Sequence, residues 1–332
     1  MLCFRFRRCK TISLTVVIGL VSLQTPQTLL SQQAKITDSQ STGMFSGTIR
    51  EKNLAALHDP YLSGAMPTYY SPGQKKRAQF LQNLIAGEIG FYSDAFGMHF
   101  APITLAVLDP QQWSKVVIFS YGFPTISLPP YIFTMPSDWS KSNAVPFPAK
   151  EDVDAATLKR ARAEGHSWKE LQFEGGDGIG THEIGHAIIR QLGIDTQTRW
   201  FLEFLASYIG YAYLQARQPR EVLGNEVFWT VGYAKTPHPH SDLEYMETNH
   251  RDLVTKYPVN YAWYQFALDQ RVLAVYRQEG LGFISKVKQS FPGGGPKLNT
   301  AQVLEKLESI DSGWKAWAAA LGEGHSGYEQ KK

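Results

Sequence analysis

Cysteine is nearly absent from this sequence. The chain of 332 residues contains two cysteines, Cys3 and Cys9, and both precede an apolar run over residues 11–23. The chain beyond that run cannot form disulfides and has no thiolate to offer a zinc ion. Any metal bound there must be held by histidine and carboxylate side chains.

The sequence also lacks an excess of charge of either sign. Its formal net charge is +3, and four of its 33 basic residues lie in the first ten positions: Arg5, Arg7, Arg8 and Lys10. Without that segment, 29 basic residues face 30 acidic ones, which is a net charge of about −1. This balance gives no electrostatic basis for binding nucleic acid.

The apolar run over residues 11–23 is shorter than the roughly 20 residues that span a bilayer comfortably. It follows the basic residues and precedes a polar stretch, which is the arrangement of a secretory signal. We therefore predict a signal peptide over residues 1–33 and a secreted or periplasmic protein with no stable membrane association. Because no clean Ala-x-Ala cleavage site follows, an uncleaved signal anchor is the alternative.

The rest of the chain has the composition of a packed globular protein, with 43% hydrophobic and 13% aromatic residues. Residues 34–73 are polar and punctuated by Gly, Ser and Pro, which predicts a linker or N-terminal embellishment. Helical periodicity begins at Gln74, and β-rich runs follow over residues 103–108, 116–121 and 131–135.

Helical patterns dominate after residue 150, so the order predicts an α+β fold. We expect a small mixed or antiparallel sheet followed by a mostly helical subdomain, with the helix over residues 179–192 at their junction. On this reading residues 74–322 form one domain and residues 323–332 form a polar tail.

One short motif carries the chemistry: His182-Glu-Ile-Gly-His186. On a helix, His182 and His186 lie one turn apart on the same face, so their imidazole nitrogens can meet one ion. Glu183 projects beside them, and this pattern is typical of a zinc site with a built-in general base. The alternative is a chance match on an ordinary amphipathic helix. We expect the helix to cover residues 179–192, after a flexible glycine-rich run over 174–178.

A tetrahedral zinc ion needs a third protein ligand, and Glu203 is the main candidate. It lies in the apolar segment Trp200-Phe-Leu-Glu-Phe-Leu205, where a carboxylate is costly unless it is paired, protonated or bound to a cation. A tight turn and an antiparallel second helix would bring Glu203 beside His186. Asp195 in the turn is an alternative ligand, and a buried salt bridge of Glu203 with Arg199 or Arg190 is the alternative without metal.

These two blocks resemble the gluzincin metallopeptidases, the group that contains thermolysin and the zinc aminopeptidases. The likeness covers about residues 74–320 and rests on the His182 motif followed by Trp200-Phe-Leu-Glu203-Phe-Leu-Ala-Ser-Tyr208. A further stretch, Tyr257-Pro-Val-Asn-Tyr261, is similar to the block that carries a transition-state tyrosine in the aminopeptidases. The resemblance implies one zinc ion per chain, held by His182, His186 and Glu203.

The function expected from these residues is hydrolysis of peptide bonds in a peptide or protein substrate. Glu183 acts as general base. The resemblance makes Tyr261 the first choice for stabilising the oxyanion, with Tyr257 and His250 as alternatives. An extended substrate would add to a sheet edge, for which residues 131–135 and 116–121 are candidates. The alternatives are a catalytically inactive zinc-binding module that acts as a secreted binding protein, and a zinc-free protein with a coincidental motif.

Overall fold

The computed structural model describes residues 61–64, 66–127, 131–142 and 147–323. The signal peptide predicted over residues 1–33 lies outside the described residues, as does the polar tail after Glu323. Within the described ranges, no helix is both long enough and apolar enough to cross a membrane.

A five-stranded mixed sheet forms the first part of the fold. Its strands are ordered β1-β2-β3-β5-β4, with antiparallel pairs at the two edges and parallel pairs of β3 with β2 and β5. In the centre, Leu105 is in register with Phe133. The strands are β1 (Tyr61–Leu62), β2 (Thr68–Tyr70), β3 (Ile103–Leu108), β4 (Thr125–Ile126) and β5 (Tyr131–Pro136).

Twelve α-helices surround or follow the sheet in the described residues, so the predicted α+β class agrees with the structure at this level. They are α1 (Lys75–Phe96), α2 (Pro110–Val116), α3 (Ala155–Ala163), α4 (Trp168–Gln191), α5 (Arg199–Arg217), α6 (Val222–Lys235), α7 (Leu243–Thr248), α8 (His250–Lys256), α9 (Pro258–Glu279), α10 (Gly282–Ser290), α11 (Thr300–Ile310) and α12 (Trp314–Gly322).

Strand β3 has a hydrophobic side chain on both faces, as a central strand must. Leu105 and Val107 join the main core under the helices, and Ala106 and Leu108 join a smaller core around Trp113 of α2. The main core then continues through α5, whose apolar side chains are buried around nearly the whole helix. The sheet is therefore covered on both faces, and α5 is a central helix.

The described end of residues 34–73, which were predicted to be a linker or N-terminal embellishment, is part of the sheet. Strands β1 and β2 belong to the sheet, and β2 pairs in parallel with β3 through Thr68 and Leu105. Thr68 is fully buried, and its hydroxyl donates to the carbonyl of Met66. Because Thr68 is a polar residue at a buried position, the sequence of β2 lacks the hydrophobic pattern that predicts a buried strand.

The predicted strand over residues 116–121 is wrong, because a helix ends there. Asp109 accepts a hydrogen bond from the amide of Gln112, and Pro110 occupies the first turn of α2. This Asp-Pro pair, which resembles a turn signal, is a helix N-terminus here. The other run, β5, is an interior strand with β3 on one side and β4 on the other. Neither candidate is a sheet edge, and the edge nearer to α4 is β4.

The glycine-rich run over residues 174–178 is helical rather than flexible. Helix α4 begins eleven residues earlier than expected, at a capping box in which Ser167 and Glu170 exchange hydrogen bonds. A Cβ at Gly176 would lie 2.3 Å from the Trp139 ring, and one at Gly178 would lie 1.5 Å from Asn225 Oδ1. These glycines allow close packing of the helix against its neighbours.

Candidate metal centre

Three side chains meet between α4 and α5. His182 Nε2 lies 3.2 Å from Glu203 Oε2, His186 Nε2 lies 3.6 Å from the same oxygen, and the two nitrogens are 3.1 Å apart. The two imidazole rings are perpendicular, with centroids 4.8 Å apart. The described residues contain one group of this kind that could hold a metal ion, and it consists of these three residues.

The spacing of these atoms fits a small tetrahedral cation. A zinc ion with bonds of about 2.1 Å places its ligand atoms about 3.4 Å apart, close to the three distances observed. Each of the two histidine side chains is 15% exposed and that of Glu203 is 10% exposed, so the group is sheltered but reachable from solvent. The donor set is two imidazole nitrogens and one carboxylate oxygen, which leaves one tetrahedral position open.

A close helix crossing brings the ligands together. The tight turn begins at Gly193, which ends α4 with a positive φ of 69°, and α5 then packs against α4. A Cβ at Gly185 would lie 2.5 Å from the carbonyl oxygen of Ala206. A Cβ at Gly210 would lie 2.9 Å from the carbonyl carbon of Thr181. The two backbones touch where larger residues would separate them, so Glu203 reaches both histidines.

The charges of the three groups depend on one another. Burial on its own would raise the pKa of Glu203, but the neighbouring His186 and His182 hold that pKa well below its usual range. Burial lowers the pKa of His182, and the hydrogen bond and charge of Glu203 more than offset this, so the net shift is upward. Without a cation, the Glu203 carboxylate is therefore compensated by imidazole protons, whose place a metal ion can take.

Glu183 lies next to this group without being part of it. It is buried, and burial raises its pKa, although the nearby His186 and His182 act in the opposite direction. A carboxylate with a raised pKa beside a metal position is suited to accept and return a proton near neutral pH.

Helix α9 supplies a row of polar side chains opposite the ligands, at four-residue steps. Tyr261 is hydrogen-bonded to Gln265, and Gln265 Nε2 donates to Glu203 Oε2 at 3.2 Å. One turn further, Asp269 is hydrogen-bonded to Ser207. Burial, and then the charge of Glu203, raises the pKa of Tyr261 well above its usual value, so its hydroxyl stays protonated and can donate.

The two alternatives to Tyr261 lie in different environments. The ring centroid of His250 is 5.5 Å from that of Tyr261, and Arg199 Nη1 lies 3.1 Å from His250 Nδ1. Burial and the charge of Arg199 lower the pKa of His250 to about 4, so its ring is neutral at neutral pH. Since a guanidinium only donates, Nδ1 is the acceptor and Nε2 carries the proton. Tyr257, in contrast, is 42% exposed and packs beside His240.

The other expectations for Glu203 do not match its contacts. Asp195 lies in the turn, where Oδ1 accepts from the amide of Gln197 at 3.1 Å, and it is not a member of the three-residue group. Arg190 is exposed at the end of α4, and Arg199 lies against His250. The ion-pair partners found for Glu203 in the described part of the chain are the two histidines.

Four residues near the group were missed from the sequence: Arg199 as a partner of His250, and Ser207, Gln265 and Asp269. Ser207 follows Glu203 by four residues, and Gln265 and Asp269 follow Tyr261 by four and eight. A polar residue repeated at this interval in an otherwise apolar helix lies on one face, which is a signal that the sequence does contain.

Comparison of the chain with protein families, curated proteins and solved structures found no match. The resemblance to the gluzincins thus stays a prediction from the sequence of the two helices.

Proposed function

We propose that this chain is a zinc-dependent peptidase that hydrolyses peptide bonds with Glu183 as general base. The observation that carries the proposal is the convergence of His182, His186 and Glu203, with ligand atoms within 4.8 Å of one another, beside a buried glutamate on the same helix. A third candidate ligand that reaches the same point from another helix favours a metal site over a chance His-Glu-x-x-His match.

The donor set favours zinc over other common cations. Magnesium and calcium prefer shells made of oxygen, whereas zinc accepts imidazole nitrogen together with a carboxylate. Three protein ligands with one open position is the pattern of catalytic zinc, because structural zinc has all four positions filled by protein. The candidate group has the catalytic pattern, so the proposed ion has a reactive position.

The residues around the candidate group would have separate roles in the reaction, namely proton transfer and stabilisation of negative charge. Zinc, when bound, supplies Lewis acidity that lowers the pKa of a coordinated water to near 7. Glu183 accepts the proton of the attacking water and delivers it to the leaving amine. Tyr261 and the Nε2–H of His250 are the donors available for the negative charge that develops on the substrate oxygen. Removal of one such donor typically costs a few kcal/mol of transition-state stabilisation.

The sheet edge nearest to the candidate ligands is short and covered. Strand β4 lies against α4 and pairs with β5 on one side, and its other side has no strand partner among the described residues. Its two residues, Thr125 and Ile126, are 0% and 5% exposed. An extended peptide that adds to this edge therefore has to displace the part of the chain that covers it.

The test is hydrolysis of an unstructured protein by purified wild type and by Glu183→Gln, with zinc content measured for both. We expect wild type to cleave and Glu183→Gln to lose at least about 100-fold in rate, the low end for a general base, while it keeps its zinc. Glu164→Gln, at an exposed position outside the group, is the matched control and should cleave like wild type.

Each other result separates the alternatives. Bound zinc without cleavage by wild type would indicate an inactive binding module. Less than about half an equivalent of zinc in mildly purified wild type would contradict a three-ligand site and leave the motif as a coincidence. Equal cleavage by Glu183→Gln would remove Glu183 from the mechanism.

A further inference from the structure

The imidazole of His182 is engaged on both of its nitrogens. Nε2 faces Glu203 and His186, and Nδ1 lies 2.8 Å from Ser207 Oγ. Ser207 is 4% exposed and is hydrogen-bonded in turn to Asp269, which is 5% exposed. A buried hydroxyl and a buried carboxylate from two different helices are therefore aligned behind one candidate ligand.

The direction of these hydrogen bonds follows from the charge of their last member. Burial raises the pKa of Asp269 to about 7, and the Ser207 hydroxyl and the charge of His182 act in the opposite direction. In its ionised form the Asp269 carboxylate only accepts, so the Ser207 hydroxyl donates to it and the Ser207 oxygen accepts from His182. The proton of the neutral imidazole then lies on Nδ1. This leaves the lone pair of Nε2 free on the side where a cation would bind, which is the tautomer that a metal ligand needs.

Asp269 has little else to compensate its charge. Its Oδ1 has no hydrogen-bond partner in the described part of the protein, and the residue is almost fully buried. A buried carboxylate with a single donor is unfavourable unless positive charge lies nearby. A cation on the far side of His182 supplies that charge along the line of the hydrogen bonds.

We infer that Ser207 and Asp269 are positioning residues that hold His182 in its metal-binding tautomer and orientation and so strengthen zinc binding. The inference rests on the metal-binding part of the proposed function and goes beyond it, because neither residue touches the ion or the substrate. An outer carboxylate of this kind typically changes metal affinity 10- to 100-fold. Here a serine lies between the carboxylate and the histidine: Ser207 of α5 connects Asp269 of α9 to His182 of α4.

The test is the zinc affinity of the full chain, measured by competition with a chromophoric chelator. Ser207→Ala should weaken binding 10- to 100-fold, and Asp269→Asn by about tenfold or more, since Asn keeps the shape and loses the charge. The double variant Ser207→Ala/Asp269→Asn should bind zinc less than about threefold more weakly than Ser207→Ala alone, because the hydroxyl that connects Asp269 to His182 is already absent. The visible spectrum of the cobalt-loaded protein should change in Ser207→Ala.

Ser71→Ala is the matched control, since Ser71 is a buried serine whose hydroxyl accepts from the amide of Asp109 in the sheet layer. It should leave zinc affinity and the cobalt spectrum unchanged. Chemical denaturation of each variant in excess chelator identifies any that do not fold, and Asp269→Asn repeats the test if Ser207→Ala is one of them.

Two outcomes would overturn the inference, and a third concerns the proposed function. If wild type binds zinc but both single variants bind it within about threefold of wild type, the pair has no role in metal binding. Fully additive losses in the double variant would mean that Asp269 does not act through Ser207. If wild type itself binds no zinc, the proposed function fails first.

Discussion

At the scale of single residues, the candidate metal centre separates the groups that would hold a cation from the group that would move a proton. His182, His186 and Glu203 point their acceptor atoms at one another, and Glu183 adjoins them without joining the group. Substitutions should therefore fall into two classes. Loss of a ligand should change metal content, and loss of Glu183 should change turnover alone.

Replacement of a ligand is the first prediction. Glu203→Ala and His182→Ala should each weaken zinc binding by more than about 100-fold, beyond the range found for outer partners of a ligand. Metal analysis of protein purified without chelator measures this directly. Asp195→Ala should retain its zinc, since Asp195 accepts from the amide of Gln197 within its own turn. Full zinc in Glu203→Ala together with loss in Asp195→Ala would reverse the ligand assignment.

A buried carboxyl away from the metal centre gives a prediction about pH. Glu88 of α1 is fully buried, both of its oxygens lack a hydrogen-bond partner in the described residues, and burial raises its pKa well above 4.5. Because the folded state binds this proton more tightly than the unfolded chain does, its contribution is complete below the unfolded pKa and is lost as pH rises towards the folded pKa.

Glu88→Gln should therefore gain stability over wild type by about 1.4 kcal/mol per pH unit as pH rises from about 5 towards the folded pKa. Urea denaturation in excess chelator at pH 5 and pH 7.5 measures the difference. Glu151→Gln, at an exposed position, should change stability by less than about 0.5 kcal/mol at either pH. A pH-independent difference for Glu88→Gln would show that its proton is not retained on folding.

At the scale of elements, the crossing of α4 and α5 determines whether the ligands meet. A Cβ at Gly185 would meet the backbone of Ala206, and one at Gly210 would meet the side chain and backbone of Thr181, so neither glycine position has room for a side chain. Gly185, the glycine inside the His-Glu-Ile-Gly-His motif, is thus required for the close packing of the two helices.

Gly185→Ala should separate the two helices and lose both stability and zinc. The added Cβ would lie 2.5 Å from a carbonyl oxygen, and overpacking of this kind typically costs about 1–3 kcal/mol. Gly90→Ala is the control, because Gly90 lies in α1 with nothing within 4 Å of its Cβ, and it should stabilise the helix by up to about 1 kcal/mol. Denaturation and zinc titration of both variants check this, and equal behaviour of the two would contradict the close-crossing argument.

The sequence predicted that the three candidate ligands lie together because their spacing is largely local. The four-residue step from His182 to His186 and the short turn before Glu203 constrain the three residues strongly, and the structure brings them together. The sequence did not show whether its glycines lie in a flexible loop or in a tightly packed helix. The run before the motif looked flexible, yet Gly176 and Gly178 lie within a helix that packs tightly on Trp139 and Asn225. A flexible run and a packed helix differ here only in the residues that contact the glycines, and those residues are distant in sequence.

The sheet was less predictable than the helices for a related reason. Strand β2 begins with the buried Thr68, which pairs with Leu105 far along the chain, and no alternation of polar and apolar residues marks it. Asp109 begins a helix where a turn was expected, because its carboxylate caps the amide of Gln112. In both cases a short polar side chain hydrogen-bonds to nearby backbone: Thr68 donates to the carbonyl of Met66, and Asp109 accepts from the amide of Gln112.

At the scale of the whole molecule, a bound ion should stabilise the fold. The candidate ligands lie on α4 and α5, which pack against each other, and α9 contacts α5 through Gln265 and Asp269. A ligand that binds only the native state stabilises it by about 2.7 kcal/mol at a concentration 100-fold above its Kd. For a domain of this size, that corresponds to a rise in Tm of roughly 5–10 °C.

Thermal unfolding with excess zinc and with excess chelator should show this shift for wild type and for Glu183→Gln alike. The shift should disappear in Glu203→Ala, which has lost a ligand. If Glu183→Gln lost the shift as well, Glu183 would be a ligand rather than a base. An equal shift in all three proteins would indicate zinc binding elsewhere on the chain.

The rows of polar residues at four-residue steps on α4, α5 and α9 have a consequence for protein design. Every group assigned to ion binding, to ligand orientation or to proton transfer lies on one of these helices or, for His250, at the start of α8. Helices place side chains more reproducibly than loops do. A three-helix bundle built from scratch, with the glycine crossing kept and residues 182, 183, 186, 203, 207, 265 and 269 grafted onto it, is therefore a compact starting point for an artificial hydrolase.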